Sequence, residues 1–313
     1  MEDKIFGPVP SRRLGRSIGI NNIPPKICSY SCSYCQIGFS KRMSTAPENF
    51  YNPEELAAAA AARLEQLPAS GDAIDYLTIV PDGEPTLDAN IGKLLKFLKI
   101  TGIKTAVITN ATMLYRPEVR EALSAADWVS VKVDTVDEGI WRQIDRPHRS
   151  LDFQQHLEGS LKFADEYSGK LVTETMLVKN INDSEKNLEA NADFIKQLNP
   201  EECYLSIPTR PPADSSVKAS TEAAVNRAYQ IYQSKTLPAE YLIGYEGNEF
   251  AATGNSEEDI LSITSVHPMR EDAVRELLEN NNTAFDLVNE MMEAGRLIRS
   301  EYRGEHYYLR SFR

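Results

Sequence analysis

Residues 28–35 read Cys-Ser-Tyr-Ser-Cys-Ser-Tyr-Cys, which places Cys28, Cys32 and Cys35 on one short stretch with Tyr34 directly before the last of them. Nearby prolines and a glycine favour a loop here, so the three thiolates can converge on one metal centre. A structural zinc ion takes four protein ligands, and no histidine lies close in the sequence, so zinc is the less favoured alternative. The spacing predicts an iron–sulfur cluster in which one iron lacks a protein ligand.

The composition excludes several classes of protein. Acidic residues outnumber basic ones by 46 to 34 among the 313 residues, and the formal net charge of −12 argues against a protein that coats nucleic acid. No stretch approaches the about 18 consecutive apolar residues of a membrane helix, and the first residues lack the apolar core of a secretory signal. Three of the four cysteines lie together, unlike the cysteines of a disulfide framework. We therefore expect a cytoplasmic protein without a membrane partner.

Short β-rich stretches alternate with helical patterns from about residue 17 to residue 234. The predicted strands, each followed by a helix, cover residues 17–21, 76–80, 104–109, 128–134, 170–178 and 203–207. Right-handed crossovers place the carboxyl ends of such parallel strands on one side, where the active sites of these sheets lie. The pattern predicts an α/β fold, a partial (β/α)6 barrel that is open rather than closed.

The sequence changes character from about residue 257 onward, where three short helical patterns precede a β-like stretch over residues 296–309. This order predicts a winged-helix-like α+β module over residues 256–313, after a barrel domain over residues 1–255. The candidate recognition helix, residues 283–294, carries three acidic side chains and no Lys or Arg, so DNA phosphates would be repelled. Docking a protein or presenting a substrate is the better interpretation of this module.

The cysteine spacing and its flanking tyrosine resemble the radical S-adenosylmethionine (SAM) superfamily. That resemblance implies a [4Fe–4S] cluster on the three cysteines, SAM bound to the open iron, and a partial barrel around both. Over residues 6–255 the chain is further similar to wyosine-synthesis (tRNA imidazoguanosine) enzymes. The landmarks of this similarity are Gly-Pro-Val-Pro-Ser-Arg-Arg-Leu-Gly at 7–15, Pro-Asp-Gly-Glu-Pro-Thr at 81–86, Asp-Arg-Pro-His at 145–148 and Pro-Thr-Arg-Pro-Pro at 208–212.

The resemblance also implies which residues bind SAM. A Gly-Gly-Glu-type motif contacts the methionine amine in the superfamily, and Asp82, Gly83 and Glu84 stand at that place, with Asp where the first Gly is usual. Gly83 lacks a Cβ and lets the backbone approach a ligand, while Glu84 can accept from an ammonium. An ordinary turn at this place is the alternative. The complete implied set is Tyr34, Asp82, Gly83, Glu84, Asn110, Ser130 and Met176.

Three charged residues on later strands are the candidate catalytic groups. Valines alternate with polar residues over 128–134, so Lys132 and Asp134 are expected to face the barrel interior. A Lys–Asp pair with a purely structural role is the alternative. Glu174 is the third candidate, and the alternation of its strand does not decide which face is inward. We predict catalytic roles for Lys132, Asp134 and Glu174.

A basic cluster near the N-terminus, Arg12, Arg13 and Arg16, is the candidate substrate site. Guanidinium groups suit a phosphate or a carboxylate of a substrate. This arm precedes the strand that leads to the cysteines, so we expect it to reach the carboxyl side of the barrel and to form an electropositive mouth there with Lys132. A solvated arm that pairs with the protein's own acidic residues is the alternative.

Together these features predict an enzyme that cleaves SAM to a 5′-deoxyadenosyl radical, which abstracts hydrogen from a peptide, a protein or a small molecule. The expected partners are SAM, an electron donor such as ferredoxin or flavodoxin, and a substrate with an anionic group. A wyosine-like tRNA-modifying enzyme is the alternative among enzymes, but the second cluster of that reaction needs further upstream cysteines, and none precedes Cys28. A non-catalytic redox sensor acting through the winged helix is the alternative outside enzymes.

Overall fold

An eight-stranded sheet with helices packed on one face forms the larger part of the structure. The computed structural model describes residues 4–67, 73–243, 254–266, 268–302 and 304–311. The strands are β1 Ile5–Ser11, β2 Gly15–Ile20, β3 Ile27–Cys28, β4 Arg42–Met43, β5 Tyr76–Ile79, β6 Lys104–Thr109, β7 Trp128–Lys132, β8 Lys170–Met176, β9 Glu202–Ser206, β10 Ala239–Leu242, β11 Met269–Arg270, β12 Leu297–Tyr302 and β13 Glu305–Arg310. The helices are α1 Pro53–Glu65, α2 Ile91–Leu98, α3 Pro117–Leu123, α4 Glu138–Ile144, α5 Phe153–Glu166, α6 Glu185–Leu198, α7 Glu222–Ser234, α8 Ser256–Val266, α9 Glu271–Asn280 and α10 Asp286–Glu293.

The large sheet is parallel except at one edge. Its strand order is β1-β2-β5-β6-β7-β8-β9-β10, with every neighbouring pair from β2 to β10 parallel and β1 antiparallel to β2. The six predicted βα units are present, and the sheet remains open between β1 and β10 over the described residues. Because the parallel strands run in one direction, the loops that follow them gather on the same side of the sheet.

Two edge strands and one helix go beyond the predicted pattern. β1 contains Pro8 and Pro10, which cannot donate to a sheet ladder, and such residues are tolerated in a strand that lies at the edge. β10 has four residues and α4 has seven. Segments of this length are too short for a hydrophobic period to stand out from the surrounding sequence.

Alternation along the strands separates two faces of the sheet. Val129 and Val131 of β7 pack with the helices in the main apolar core, whereas Trp128 belongs to a smaller cluster on the concave face. The polar residues between those valines therefore face the concave side, as the sequence predicts.

Five helices begin where a side chain caps their first turn. These helices are α1, α4, α5, α6 and α7, and their capping residues are Asn52, Asp137, Asp152, Ser184 and Thr221.

The C-terminal residues build a second apolar core around α8, α9, α10 and a three-stranded sheet in the order β11-β13-β12. The hairpin of this module contacts the barrel, because Tyr302 and Tyr307 donate to the carbonyls of Pro208 and Thr209 at 2.9 and 3.1 Å. Residues 244–253, beside the predicted boundary at 255, lie outside the described residues, so the boundary stays a prediction. Over the described chain, no helix has the length and apolar character needed to cross a membrane.

Candidate active site

The three cysteines of the loop after β2 line one cavity of about 190 Å³, together with Asp82 and Gly83. Their positions are fixed by short backbone links, since the N–H of Cys35 donates to the carbonyl of Cys32 at 3.2 Å. Among the described residues, no three His, Cys, Asp or Glu side chains are arranged to hold a single metal ion. The three thiols share the lining of this one cavity.

The surroundings of the thiols favour their neutral form. Burial raises the pKa of Cys28, and the nearby Glu84 carboxylate raises it further. Burial likewise raises the pKa of Cys32, with Asp145 adding to the effect, and burial raises that of Cys35. Buried thiolates beside carboxylates need a compensating positive charge, and metal ligation supplies it. Three free thiols in a cavity that disfavours unligated thiolates fit the expected cluster.

Gly83 has a structural task that the sequence does not reveal. A Cβ at this position would lie 1.9 Å from the carbonyl oxygen of Ile27, the residue before Cys28. Backbone hydrogen bonds lock the same contact, because the N–H of Glu84 donates to Ile27 at 3.1 Å and the N–H of Lys26 donates to Asp82 at 2.6 Å. The close approach that Gly83 permits is therefore to the cysteine loop, whereas the sequence predicts an approach to the ligand.

Glu84 is buried and its carboxylate is used by the protein itself. One oxygen accepts from the Thr86 N–H at 3.1 Å and from the hydroxyls of Thr86 and Thr109 at 2.5 Å each. The other oxygen accepts from the backbone N–H of Asn110 at 2.8 Å. Burial raises the pKa of Glu84 although these donors oppose the shift. Glu84 thus joins the ends of β5 and β6 and positions Asn110.

Asn110 extends this network to the cluster loop. Its amide lies 3.6 Å from the Cys28 sulfur and donates to the Ser29 hydroxyl at 2.9 Å. The Ser29 hydroxyl in turn lies 2.6 Å from that of Thr112. The loop after β6 therefore holds the first cysteine from one side, so the predicted cofactor residue Asn110 is beside the cysteines.

Asp82 differs from Glu84 because one of its carboxylate oxygens accepts no hydrogen bond from the described residues. The residue is 1 % exposed and lines the cysteine cavity, and Oδ1 has no hydrogen-bond partner among the described residues. Burial raises the pKa of Asp82 to about 8. A buried acceptor without a donor is rare and costly in a folded protein, so this atom is suited to receive a donor from a bound molecule.

A buried acidic network holds the other side of the cysteine loop. Tyr34 donates to Asp134, and its hydroxyl lies 3.2 Å from an oxygen of Asp145. The same Asp145 oxygen accepts from the Cys32 thiol at 3.5 Å. Burial and the repulsion of Asp134 raise the pKa of Asp145 well above its usual range, and burial raises that of Asp134. The charge of Asp134 therefore favours the protonated form of Asp145.

Asp145 is a site residue that the sequence reasoning did not select. It follows the unpredicted helix α4, whose last carbonyl, that of Ile144, accepts from the Ser33 N–H at 2.8 Å. The carbonyl of Asp145 accepts from the Ser31 N–H at 3.1 Å. The Asp-Arg-Pro-His landmark was the available signal, but only the helix before it reveals how the landmark reaches the cysteines.

A second cavity of about 250 Å³ adjoins the first and is lined by the ends of β6, β7, β8 and β9. On its wall Glu174 pairs with Lys132 at 3.0 Å and with Arg13. Ser206 of β9, which the sequence reasoning did not select, donates to Glu174 at 3.1 Å. The register of the two strands explains the ion pair, because Lys132 of β7 lies directly opposite Glu174 of β8.

Ion pairing favours the charged forms of Glu174 and Lys132. Burial opposes ionisation of Glu174, but Lys132 and Arg13 outweigh burial and hold its pKa at about 2. Burial also opposes the charge of Lys132, yet Glu174 and Asp134 outweigh it and raise the pKa of the ammonium. The ion pair therefore favours the charged form of both residues, and their catalytic roles stay predictions.

The other predicted cofactor residues lie on the same concave face. Ser130 is buried between the valines of β7. Met176 lines the second cavity, and its backbone N–H donates to Asp134 at 2.7 Å. The Ser206 hydroxyl lies 3.7 Å from the Met176 sulfur. The structure thus places Tyr34 and Met176 in the lining of the second cavity, Asn110 beside Cys28, and Ser130 on the same face of β7 as Lys132.

The basic arm reaches the site from an unexpected end of the sheet. Arg12 and Arg13 form the turn between β1 and β2, where Ser11 pairs with Gly15. This turn lies at the amino end of β2, whereas the sequence predicts it on the carboxyl side. The cause is that β1 is an antiparallel strand of the sheet and not a leader to the cysteine loop. The side chains of Arg12 and Arg13 nevertheless line the second cavity.

Arg16 does not join its two neighbours. Alternation along β2 puts Arg16 on the same face as Ile18, which packs in the main core under the helices. Arg16 is absent from the lining of the second cavity. Its backbone N–H instead donates to Asp75 at 2.8 Å. The structure therefore does not bring Arg16 together with Arg12 and Arg13 at the second cavity, and its substrate contact stays a prediction.

Comparison with known proteins gives a consistent result. The model of the Radical SAM superfamily matches residues 22–190. The chain is 44% identical over 310 residues to a UPF0026 protein of Methanocaldococcus jannaschii, covering 98% of this chain and 96% of that protein. It is 22% identical over 305 residues to an S-adenosylmethionine-dependent nucleotide dehydratase of Flammeovirga pacifica, covering 94% and 96%. Its fold is similar to that of a radical SAM methyltransferase from Sphaerobacter thermophilus, with a TM-score of 0.54 and 15% identity over 72% of this chain and 66% of that one.

The family match spans the cysteine loop, the Asp82–Glu84 motif and the strands β5 to β8 that line both cavities. Proteins of this family use a [4Fe–4S] cluster and SAM. The donor set of the first cavity fits that cluster, as its three free thiols and the unpartnered carboxylate oxygen of Asp82 indicate. The chain therefore belongs to the radical SAM superfamily of enzymes and to the UPF0026 proteins.

Proposed function

We propose that this enzyme cleaves SAM reductively and that the 5′-deoxyadenosyl radical abstracts hydrogen from a substrate with an anionic group, either a peptide, a protein or a small molecule. One observation carries the proposal: the cysteine cavity adjoins the second, cationic cavity, and the two share Cys35, Gln36 and Val80. When bound, the cluster supplies the electron that breaks a carbon–sulfur bond of SAM to give methionine and the radical. A substrate in the second cavity would then lie beside the place where the radical forms.

The residues of the first cavity divide between metal and organic cofactor. Cys28, Cys32 and Cys35 would bind three irons and leave the fourth for the amine and carboxylate of SAM. The left-over oxygen of Asp82 would accept from the SAM ammonium, a charge-assisted contact that the buried carboxyl otherwise lacks. Asn110, Ser130 and Met176 would contact the nucleoside, as the family resemblance implies. Glu84 would act through Asn110, since its oxygens already accept from the protein.

Asp82→Asn is expected to weaken SAM binding about tenfold, because the amide cannot form a charge-assisted bond with an ammonium. Burial holds the pKa of Asp82 at about 8, so arrival of a cation should ionise it and release a proton near pH 7. Calorimetry of the cluster-loaded protein in two buffers of different ionisation enthalpy measures both the affinity and this proton release. Equal affinity and equal proton release in the variant, with an unchanged iron content, would remove Asp82 from the cofactor site.

The second cavity supports an anionic substrate. Its lining includes four cationic side chains, Arg12, Arg13, Lys132 and Arg210, against the single carboxylate of Glu174. Inside a chain of net charge −12, such a local excess of positive charge attracts an anion to this place. The Flammeovirga relative is named a nucleotide dehydratase, and nucleotides are anions. A phosphate or carboxylate on the substrate is the chemistry that this lining would recognise.

The substrate proposal can be tested without knowing the substrate. Metabolites from cells grown on deuterated medium are separated by charge and added to the holoenzyme with dithionite and SAM. Deuterium should enter 5′-deoxyadenosine with the anionic fraction, because the radical takes its hydrogen from the substrate. Arg12→Glu should reduce this transfer at least tenfold and preserve cleavage of SAM without substrate. Transfer that occurs only with neutral or cationic fractions, or that survives Arg12→Glu, contradicts the anionic substrate.

The C-terminal module would border the substrate entrance. Its winged-helix-like arrangement is supported by the element order α8, β11, α9, α10 and the hairpin β12–β13. The hairpin tyrosines Tyr302 and Tyr307 hold the loop of Pro208 and Thr209, two residues of the second cavity. Helix α10 carries Asp286, Glu290 and Glu293, so phosphate backbones would be repelled from it. We assign the module to substrate presentation rather than to DNA reading.

The wyosine-type reaction is the weaker candidate among radical SAM activities. The motifs shared with that family support it, but its second cluster needs cysteines that this chain lacks. The remaining cysteine, Cys203, is buried on β9 in the core beneath the helices, on the face away from both cavities. Because the chain belongs to a superfamily of enzymes, an enzyme is favoured over the non-catalytic redox sensor.

A further inference from the structure

The loop that follows β9 crosses the cysteine loop. We call this loop, residues 207–217 between β9 and α7, the strap. Its first four residues form part of the wall of the second cavity, namely Ile207, Pro208, Thr209 and Arg210. Further along, the N–H of Asp214 donates to the carbonyl of Ser33 at 2.9 Å. The strap therefore joins the second cavity to the loop that carries Cys35.

Two side-chain contacts fasten the strap to this loop and its surroundings. The Arg210 guanidinium donates to the side-chain oxygen of Gln36 at 3.0 Å, and Gln36 lines both cavities. The Arg146 guanidinium pairs with Asp214 at 2.6 Å. Since Ser33 and Gln36 lie on either side of Cys35, the strap covers the boundary between the cysteine cavity and the second cavity.

The strap is stiff, although it forms neither a helix nor a strand. It contains Pro208, Pro211 and Pro212, and proline fixes φ and has no N–H to donate. The strands and the β1–β2 turn on the other walls of the second cavity are held by the hydrogen bonds of the sheet. When its contacts break, the strap can therefore move as one piece while those walls stay in place.

The C-terminal hairpin holds the strap at the cavity. The Tyr302 hydroxyl donates to the carbonyl of Pro208 at 2.9 Å, and the Tyr307 hydroxyl donates to the carbonyl of Thr209 at 3.1 Å. The two acceptors are neighbours in the backbone, directly before Arg210. Two hydrogen bonds from one hairpin thus hold the residues that carry Arg210 to the cavity.

The module that carries this hairpin is anchored at the other edge of the sheet. Ser262 of α8 donates to the carbonyl of Ile5 in β1 at 3.3 Å, and Val9 of β1 packs against the apolar core of the module. Arg63 of α1 lies 3.7 Å from Asp259 of α8. Because the described sheet is open between β1 and β10, the module spans this open side from β1 to the loop after β9.

We propose that the strap is the gate of the active site and that Tyr302 and Tyr307 are the latch that holds it closed. The inference rests on the proposed function, which places the nucleoside of SAM and the substrate at the second cavity. The cluster would occupy the cysteine cavity of about 190 Å³, so both molecules reach it through the second cavity. Opening of the strap admits them, and its closure keeps water away from the radical.

The test removes the two latch hydroxyls and keeps the rings. Tyr302→Phe with Tyr307→Phe is the latch variant. The control variant, Tyr167→Phe with Tyr308→Phe, also loses two hydroxyls that donate hydrogen bonds, to the carbonyl of Ala126 at 2.9 Å and to Glu271 at 3.3 Å. Because Tyr308 belongs to the same hairpin, the control also reports any general loosening of the module.

Exchange of SAM is measured on the cluster-loaded proteins with the cluster kept oxidised, so that SAM binds without being cleaved. Rapid filtration of radiolabelled SAM gives the association rate constant, and a chase with unlabelled SAM gives the dissociation rate constant. Iron content and the midpoint of chemical unfolding verify that each variant is intact. Tyr302→Phe and Tyr307→Phe are also measured singly, so the test does not depend on the double variant.

We expect both rate constants to rise about tenfold in the latch variant and about threefold in each single variant, because each lost hydrogen bond favours opening. The dissociation constant should stay within about twofold, since SAM enters and leaves through the same open state. The control variant should exchange SAM within about twofold of the unmodified enzyme.

Three outcomes overturn the proposal: unchanged rate constants in the latch and single variants, an equal rise in the control variant, or faster dissociation with unchanged association. The last outcome would make the strap a wall that binds SAM and not a gate. Failure of the proposed function gives a different result, because bound SAM would then yield no 5′-deoxyadenosine with dithionite. The exchange rates would still report on the gate, since they are measured without cleavage.

Discussion

Glu174→Gln is expected to lower the free energy of unfolding by about 3–5 kcal/mol, the cost of leaving buried charges without their partner. The substitution removes the only carboxylate that pairs with both Arg13 and Lys132 in the second cavity, among the described residues. Side chains of this group are 10–18% exposed, so water cannot replace the lost charge. Chemical unfolding of the protein, measured in parallel with the unmodified chain, gives the difference.

The control is an exposed pair of the same type. Glu138→Gln removes the partner of Arg142 on α4, where both side chains are more than half exposed, and should cost less than about 0.5 kcal/mol. Adding Arg13→Met to Glu174→Gln should recover part of the loss, because one fewer cation remains unpaired. If Glu174→Gln lowers the free energy of unfolding no more than Glu138→Gln does, the ion pairs of Glu174 do not hold β7, β8 and the β1–β2 turn together.

The pH dependence follows from the direction of the shift. The pKa of Glu174 is held at about 2 in the folded protein, below the value of about 4.3 of an unfolded glutamate. The stability it contributes is therefore complete above pH 4.3 and is lost as the pH falls toward 2. Above that window the ion pairs should be insensitive to pH.

Gly83→Ala is expected to abolish cluster assembly, reducing iron from about four per chain to below about one. The new Cβ would lie 1.9 Å from the Ile27 carbonyl, which is backbone and cannot rotate away. Relief of this clash must move the stretch that carries Cys28. Iron analysis and the absorbance spectrum after anaerobic reconstitution measure the loss.

Two other variants separate this effect from general damage. Gly139→Ala places its Cβ 3.1 Å from a side-chain oxygen of Asp137 at the start of α4, where a small adjustment suffices, and should keep its iron. Asp82→Asn changes the adjacent residue without a backbone clash and should also keep its iron. Retention of a full cluster in Gly83→Ala would show that the cysteine loop tolerates displacement. The Asp82–Glu84 motif would then not be needed to support that loop.

The sequence predicts the parts of the site that depend on spacing or on simple alternation. Three cysteines on one loop need no tertiary information, and the valines of β7 suffice to turn Lys132 inward. Alternation along β8 does not show which face of the sheet Glu174 lies on, because β8 is buried on both faces. Only the register with β7 decides it.

The missing features arise from contacts that are distant in sequence. Asp145 meets Cys32 because α4, too short to be recognised, places it there. The turn that carries Arg12 and Arg13 lies at the amino end of β2 because β1 is an edge strand, and the prolines of β1 conceal this strand in the sequence. The sequence predicts a ligand contact for Gly83 because neither composition nor periodicity reveals that Ile27 lies against it.

The most direct test of the account is SAM cleavage by the anaerobically purified protein. With about four irons per chain, dithionite and SAM, the enzyme should form 5′-deoxyadenosine and methionine in equal amounts. Cys28→Ala, Cys32→Ala and Cys35→Ala should each abolish the product, whereas Cys203→Ala, in the core beneath the helices, should preserve it. Zinc in place of iron, or an iron-loaded enzyme that forms no 5′-deoxyadenosine, would contradict the account.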